Sequence, residues 1–281
     1  MSLRVAAAAW KLRLARSDGD YFGHLYDTVS AAHDLDAEVL VLPELTVLEL
    51  LSLAPDLEER DVPAFLVQFA DSFEEWLLRI SASSGLTLVG GSHFRRVKGG
   101  IANACAVATP DGRLIVNNKN KLTAYERDVW RLAPGRGLSR LQDERLGVLI
   151  CYDCEFPEAG RRLVDAGVQT ICVPAFTEDV RAFQRVRWAA HSRAVENQVY
   201  VVHASLVGEL GREPVPSTFG TSAILTPSHE PFPLNAVLDE TRVNEEGLAV
   251  ADVDFEMLTA SREDGEVRNW DDRVDDNWTV A

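Results

Sequence analysis

A chain of 281 residues, 46% hydrophobic and 26% charged, has the composition of a globular protein that can bury a large core, which excludes disordered, fibrous and low-complexity classes. Its 44 acidic against 28 basic side chains, a net charge of −16, argue against nucleic acid or an anionic membrane as partner. No apolar run reaches a membrane span, the opening Met1-Ser2-Leu3-Arg4 lacks the shape of a signal peptide, and Cys105, Cys151, Cys154 and Cys172 resemble no disulfide framework; the expectation is one soluble, cytoplasmic domain over residues 1–281 with reduced thiols.

Residues 3–10 read as a small-residue apolar strand, and 21–35 as a helix through Leu25, Val29 and Ala32. Residues 38–42 form a buried strand that Pro43 stops, so Glu44 lies just past its end. An acid there is either an exposed loop residue or a buried group that needs a partner. The unusually apolar stretch 45–53 predicts a pocket wall or a contact with another subunit. Residues 64–83 have the spacing of one amphipathic helix through Phe65, Phe69, Phe73, Trp76, Leu77 and Ile80. A short strand at 86–89 then enters Gly90-Gly91-Ser92-His93, which matches neither phosphate-loop pattern and reads as a turn.

Pro110-Asp111-Gly112 between apolar runs 102–109 and 113–116 predicts a hairpin. Its second arm leads to Lys119 and Lys121, which are either solvated surface or, beside a thiol, a means of lowering its pKa and holding an oxyanion. Alternate side chains on an extended segment face the same way, so both lysines could point inward. Residues 146–150 make a buried strand that ends at Cys151, and Pro157 opens a helix over 157–167. A thiol where a strand stops and a helix begins stands at the edge where α/β proteins hold ligands, and a helix amino-terminus nearby favours its thiolate. Cys151 is therefore the candidate nucleophile, against the plainer reading of a buried core cysteine. Cys151 and Cys154 also form a C-x-x-C, but no second pair and no histidines at zinc spacing follow, so neither metal nor redox chemistry is expected.

Further strands are expected at 169–175, 199–203, 222–226 and 248–253, and helices at 186–198 and 256–262. His191 and His203 lie near apolar elements and read as structural. The acidic tail 269–278 reads as solvated, yet Trp270 and Trp278 suggest docking. Alternating strands and helices with one or two hairpins give an α/β class with a mixed sheet.

Three apolar strands thus end in Glu44, Lys119 and Cys151. If those ends share an edge, a base, a cation and a thiol meet, which suits acyl transfer. Val39-Leu40-Val41-Leu42-Pro43-Glu44, Asn118-Lys119-Asn120-Lys121-Leu122 and Gly147-Val148-Leu149-Ile150-Cys151-Tyr152-Asp153, followed by Phe156-Pro157-Glu158, resemble in order and separation the base, lysine and nucleophile segments of the nitrilase superfamily, the carbon-nitrogen hydrolases. The resemblance covers nearly the whole chain; residues 193–202 and 222–227 are similar to further family blocks. It implies a four-layer α-β-β-α sandwich, subunits paired as a homodimer on which the extension 254–281 docks, and a cofactor-free site. Glu44 would be the base, Lys119 with the backbone N–H of Tyr152 the oxyanion donors, and Cys151 the nucleophile. A second glutamate is implied beside them, for which Glu126 fits best and Asp128 is the rival.

Cys151-Tyr152-Asp153 and Phe156-Pro157-Glu158 are similar to amidase-like branches, so the implied reaction is hydrolysis of a small carboxamide through a thioester. Nitrile or N-carbamoyl hydrolysis, acyl transfer in the same fold, or a non-catalytic binding member are the alternatives. Trp10 and Lys121 stand where many members carry glutamine and histidine, which leaves the substrate open.

Overall fold

In the computed structural model, which describes residues 2–141 and 145–273, thirteen strands run in chain order among the described residues. They are β1 (Ser2–Lys11), β2 (Val39–Val41), β3 (Thr87–Val89), β4 (His93–Val97), β5 (Gly100–Ala108), β6 (Leu114–Asn118), β7 (Arg140–Leu141), β8 (Leu146–Val148), β9 (Thr170–Ala175), β10 (Tyr200–Val207), β11 (Ala223–Leu225), β12 (Val237–Glu240) and β13 (Gly247–Asp254). The α-helices are α1 (Asp18–Asp34), α2 (Val62–Leu66), α3 (Ala70–Ser84), α4 (Ala124–Asp128), α5 (Pro157–Asp165), α6 (Val180–Asn197), α7 (Phe255–Asp264) and α8 (Asn269–Asp272).

Alternation along β1 sets the layers. Val5 and Ala7 face one apolar core while Ala6, Ala8 and Trp10 face another, all buried. On the second side, α1 contributes Tyr21, Leu25 and Val29, and α3 contributes Phe73, Trp76 and Leu77. The first core lies between two stacked sheets, close enough that the thiols of Cys105 on β5 and Cys172 on β9 interact. It continues past the second sheet to Leu163 of α5 and to Val186, Ala190 and Ala194 of α6. The expected α-β-β-α sandwich is the result. Strands run β4-β5-β3-β2-β1-β10-β9-β8-β7, with β6 on β5, β13 on β1, and β11 and β12 beyond β10. The two halves join narrowly, since β1 meets β10 only through Trp10 and Lys11.

Several expected boundaries change. The helix over 64–83 is interrupted: α2 ends at Leu66, a 3₁₀ turn spans Val67–Phe69, and α3 starts at Ala70, so hydrophobic spacing alone hid a change of helical register. β4 follows directly on the glycine turn; its Arg95 and Arg96 broke the apolar alternation that marks a strand. β12 is only half-buried and was equally hidden. α6 begins at Val180, six residues early, because Asp179 accepts the N–H of Ala182 as its cap. α5 stops at Asp165. Of the stretch 45–53, Leu45 walls a cavity, and Thr46–Leu53 is a 3₁₀ turn whose residues from Thr46 to Leu51 are buried in the chain's own core. Trp270 lies between two guanidiniums, Arg262 at 3.6 Å and Arg273 at 3.5 Å, and its backbone N–H donates to Gln198 Oε1 at 2.7 Å. Trp278 lies outside the described residues.

A buried charge cluster ties α1 to this turn. His24 Nδ1 is 3.0 Å from Glu49 Oε2, its Nε2 is 2.5 Å from Glu246 Oε1, and its ring stacks on Trp10 at 3.6 Å. Burial pulls the imidazole pKa down, but hydrogen bonds to Glu246 and Glu49 outweigh it, and the net shift is upward. The stabilisation is thus complete below the ordinary histidine pKa and is lost as pH rises through the raised folded value. His24→Ala is expected to lower the unfolding free energy by about 3–5 kcal/mol, since it leaves Glu49 buried without its cation. Urea unfolding at pH 6 checks the loss, and the gap to wild type should narrow as pH rises through the raised value.

Candidate active site

The strands β1, β2 and β3 pair in parallel, as do β1, β10, β9 and β8, and β6 runs with β3 because both oppose β5. The carboxyl ends of β2, β6, β8 and β9 therefore open on one edge, where Glu44, Lys119, Cys151 and Phe176 follow.

Each side chain is aimed by its local backbone. Leu45, just after Glu44, is left-handed at φ 56° and turns the chain sharply. Gly91, also left-handed, packs against that turn: a Cβ there would meet Pro43 O at 2.0 Å. Ser92 Oγ accepts the Leu45 N–H at 3.1 Å, so the glycine turn buttresses Glu44. Lys119 is held by its main chain, its N–H donating to Asn103 O at 2.8 Å and its carbonyl accepting from Gly135 N–H at 2.7 Å. Cys151, φ 45°, opens a 3₁₀ turn over Cys151–Glu155, a conformation that costs a non-glycine residue about 1–3 kcal/mol. Its thiol lies 3.6 Å from Phe176 O. Glu126 sits at the third position of α4, where it and Thr123 form a reciprocal capping box.

These groups meet. Lys119 Nζ is 2.7 Å from Glu44 Oε1 and 2.8 Å from Glu126 Oε2, and Asn103 Nδ2 donates to both carboxylates, at 2.8 and 2.9 Å. Glu44 Oε2 accepts the Phe176 N–H at 3.0 Å, and the Cys151 thiol, which points to the carbonyl of the same Phe176, feels the charge of the Glu44 carboxyl. Glu44, Lys119 and Glu126 are at most 3% exposed, and Cys151 is 6% exposed. A cavity of about 700 Å³ opens onto them, walled by Leu45, Tyr125, Trp130, Tyr152 and Phe176, with Glu155, Glu178, Asp179, Arg127 and Arg185 also lining it.

The charge states follow from burial and pairing. Burial opposes the Lys119 ammonium, but the charges of Glu126 and Glu44 overcome it and raise its pKa well above the ordinary value. Burial pushes the Glu126 carboxyl up; Lys119 and the hydrogen bonds from Lys119, Asn103 and Thr123 outweigh that and hold it down. For Glu44 burial wins, with Glu126 adding to it against Lys119, and the carboxyl is raised. Burial, then the charge of Glu44, raises the Cys151 thiol well above its ordinary value. The expectation of a thiol acidified by a helix amino-terminus is thereby corrected: α5 starts six residues away, at Pro157, and burial dominates.

Other candidates stand apart. Lys121 turns outward, its Nζ 4.8 Å from the Phe156 ring in a separate groove shared with Arg136, Arg140 and Arg162. Asp128 is exposed beside Arg127, which leaves Glu126 as the second acid. Cys154 is a buried free thiol, and neither His191 nor His203 lines the cavity. His203 is buried against α6, where burial and then Arg187 depress its pKa. Two functional neighbours escaped the sequence reading. Asn103 is a polar residue inside an apolar strand, and a buried amide needs partners, so its position was the available signal. Asp153 is 1% exposed, and burial pushes its carboxyl up to about 6 against the N–H groups of Lys121 and Asn120.

A family model described as carbon-nitrogen hydrolase matches residues 4–263. Among curated relatives, the probable hydrolase YhcX of Bacillus subtilis is 30% identical over 285 residues, covering 99% of this chain; the chain spans 55% of that protein's length. Omega-amidase NIT2 of Danio rerio is 27% identical over 277 residues, covering 91% of this chain and 90% of that one. Among solved structures, Saccharomyces cerevisiae Nit3, a member of branch 10 of the nitrilase superfamily, superposes with a TM-score of 0.77 at 21% identity, covering 95% of each chain. An amidase from Nesterenkonia sp. does so with 0.71 at 22% identity, covering 93% of this chain and 94% of that one. With a strand-edge cavity of this form and a family match over nearly its whole length, the chain belongs to the carbon-nitrogen hydrolase family.

Proposed function

We propose that the protein hydrolyses the carbon-nitrogen bond of a small carboxamide through a thioester on Cys151, as a homodimer in the cytoplasm. The observation that carries the reading is the ammonium of Lys119 held between Glu44 and Glu126 at the same buried edge as the Cys151 thiol, with Glu44 and Cys151 both set against the backbone of Phe176. Glu44 takes the thiol proton as sulfur attacks the carbonyl carbon. Lys119 Nζ and the backbone N–H of Tyr152 receive the developing oxyanion. Collapse expels ammonia or an amine, which leaves with the proton from Glu44. Water then gives a proton to Glu44 and attacks the thioester; the carboxylic acid departs and the thiolate recovers the proton. Glu126 keeps Lys119 charged and in place.

The omega-amidase name of the NIT2 relatives supports amide over nitrile as the bond cleaved. In the cavity lining, Glu155, Glu178 and Asp179 outnumber Arg127 and Arg185, and burial, then Glu213 and Asp179, raises the Glu178 carboxyl. That balance favours neutral or cationic amides over anionic ones. Trp188, 63% exposed, and Val195 lie two turns apart on α6 and support a subunit contact on that helix. Docking of the extension 254–281 on a partner subunit belongs to the same proposal. Four free thiols support a reducing compartment.

Cys151→Ala is expected to reduce ammonia release from a panel of small amides by a factor on the order of 10³ or more. Turnover that survives the change removes the thiol from the mechanism. The acid limb of kcat/KM should follow Glu44, activity falling as pH drops through its raised pKa. Glu126→Gln removes a negative charge that raises that pKa, so the limb should shift to lower pH while the plateau falls. A limb that stays in place or rises excludes Glu44 as the base.

A further inference from the structure

The nucleophile's turn and the lysine's loop come from different sheets, and a single buried carboxylate joins them. Asp153 lies two residues after Cys151 in the 3₁₀ turn, its own N–H donating to Ile150 O at 2.9 Å. Across the edge, its Oδ1 accepts the Lys121 N–H at 2.7 Å, and Oδ1 and Oδ2 share the Asn120 N–H at 3.1 and 3.2 Å. Those two amides directly follow Lys119. We propose that Asp153 is a positioning residue, which fixes the reach of Lys119 Nζ relative to Cys151 Sγ by clamping the chain just past the lysine.

Three observations argue for this role over simple fold stability. Among the described residues, the hydrogen bonds of this carboxylate go only to the two main-chain N–H groups and to no cationic side chain. A carboxylate is costly to bury, and neither amide belongs to β6, which has already ended at Asn118. The clamp also completes a set of main-chain restraints on one residue: the Lys119 N–H goes to Asn103, its carbonyl to Gly135 N–H, and the next two N–H groups to Asp153. A lysine on a long flexible stem needs such restraint if its ammonium is to meet a developing oxyanion. Finally, the side chain of Lys121 turns away into the neighbouring groove, so Asp153 uses the backbone of that residue and not its charge.

The inference rests on the thiol reading given above, so its test includes a readout that needs no amide substrate. Asp153→Asn keeps the shape but replaces one acceptor oxygen with a donor that opposes the amides. It is expected to lower kcat by about 10–10²-fold with KM within about twofold, and to slow alkylation of Cys151 by iodoacetamide by a similar factor. Lys121→Ala, which preserves the N–H, should leave both rates unchanged. Slowed alkylation in Asp153→Asn supports the clamp even where no tested amide is turned over, which would count against the amide reading alone. Wild-type kcat and alkylation in the folded fraction of Asp153→Asn, whatever its melting temperature, would overturn the proposal. Should that variant fail to fold, amide hydrogen exchange in the wild-type protein decides: protection at Asn120 and Lys121 matching that of β6 supports the clamp, and free exchange there overturns it.

Discussion

An ammonium withdrawn from water must be surrounded by negative charge, and much of the sheet edge is arranged to supply it to Lys119. Its side chain is 2% exposed, and its two carboxylates approach from separate elements, Glu44 from the end of β2 and Glu126 from α4. The helix α4 is only five residues long, too short to hold together by propensity. It persists because Glu126 serves two purposes, with Oε2 taking both the Thr123 N–H that caps the helix and the lysine. Asn103 then bridges the pair from beneath, so that neither carboxylate relies on the ammonium alone.

This charge balance shapes the chemistry open to the thiol. With one anionic glutamate committed to Lys119 and a second carboxyl raised beside the sulfur, a resting thiolate would face like charge in a buried setting. The protonated thiol is the stable form, resting against Phe176 O, and the charge of the Glu44 carboxyl acts on it. In the proposed reaction the nucleophile is made at the moment of attack and not stored beforehand. The strain at Cys151 and Leu45 fits that economy of position: two left-handed residues bring their side chains to the edge, and Gly91, Ser92 and Phe176 hold them there.

The turn after Glu44 is fastened a second time. Glu49, five residues on, accepts from His24 of α1 and from the Arg13 N–H, and the same imidazole reaches Glu246 just before β13. The buried imidazole thus ties α1 to the approach to β13 and, through Glu49, which also takes the Arg13 N–H after β1, to the turn that follows Glu44. Placement of Glu44 depends on packing well beyond its immediate neighbours.

Much of this was legible in the residues themselves. Apolar runs that stop at Pro43, Val116 and Ile150, each followed closely by a chemically capable side chain, marked Glu44, Lys119 and Cys151, because a buried strand must be apolar and its end is where polar groups can begin. Strand and helix alternating along the chain pointed to an α/β class with a mixed sheet, whereas the four layers were implied only by the family resemblance. What spacing could not decide was direction. Lys119 and Lys121 have the same parity, yet one is buried between carboxylates and the other faces a different groove, because the chain leaves β6 between them. Glu126 and Asp128 were separated by the capping box, burial and the pairing of Glu126 with Lys119, and the roles of Asn103, Asp153 and Gly91 came from contacts across segments far apart in sequence. The pKa of the thiol turned on burial, which a local pattern of helix and lysine cannot measure. Sequence determined which groups reach the edge of the sheet; tertiary structure decided which of them meet and in what charge state, since pairing and desolvation depend on neighbours that the chain brings together only when folded.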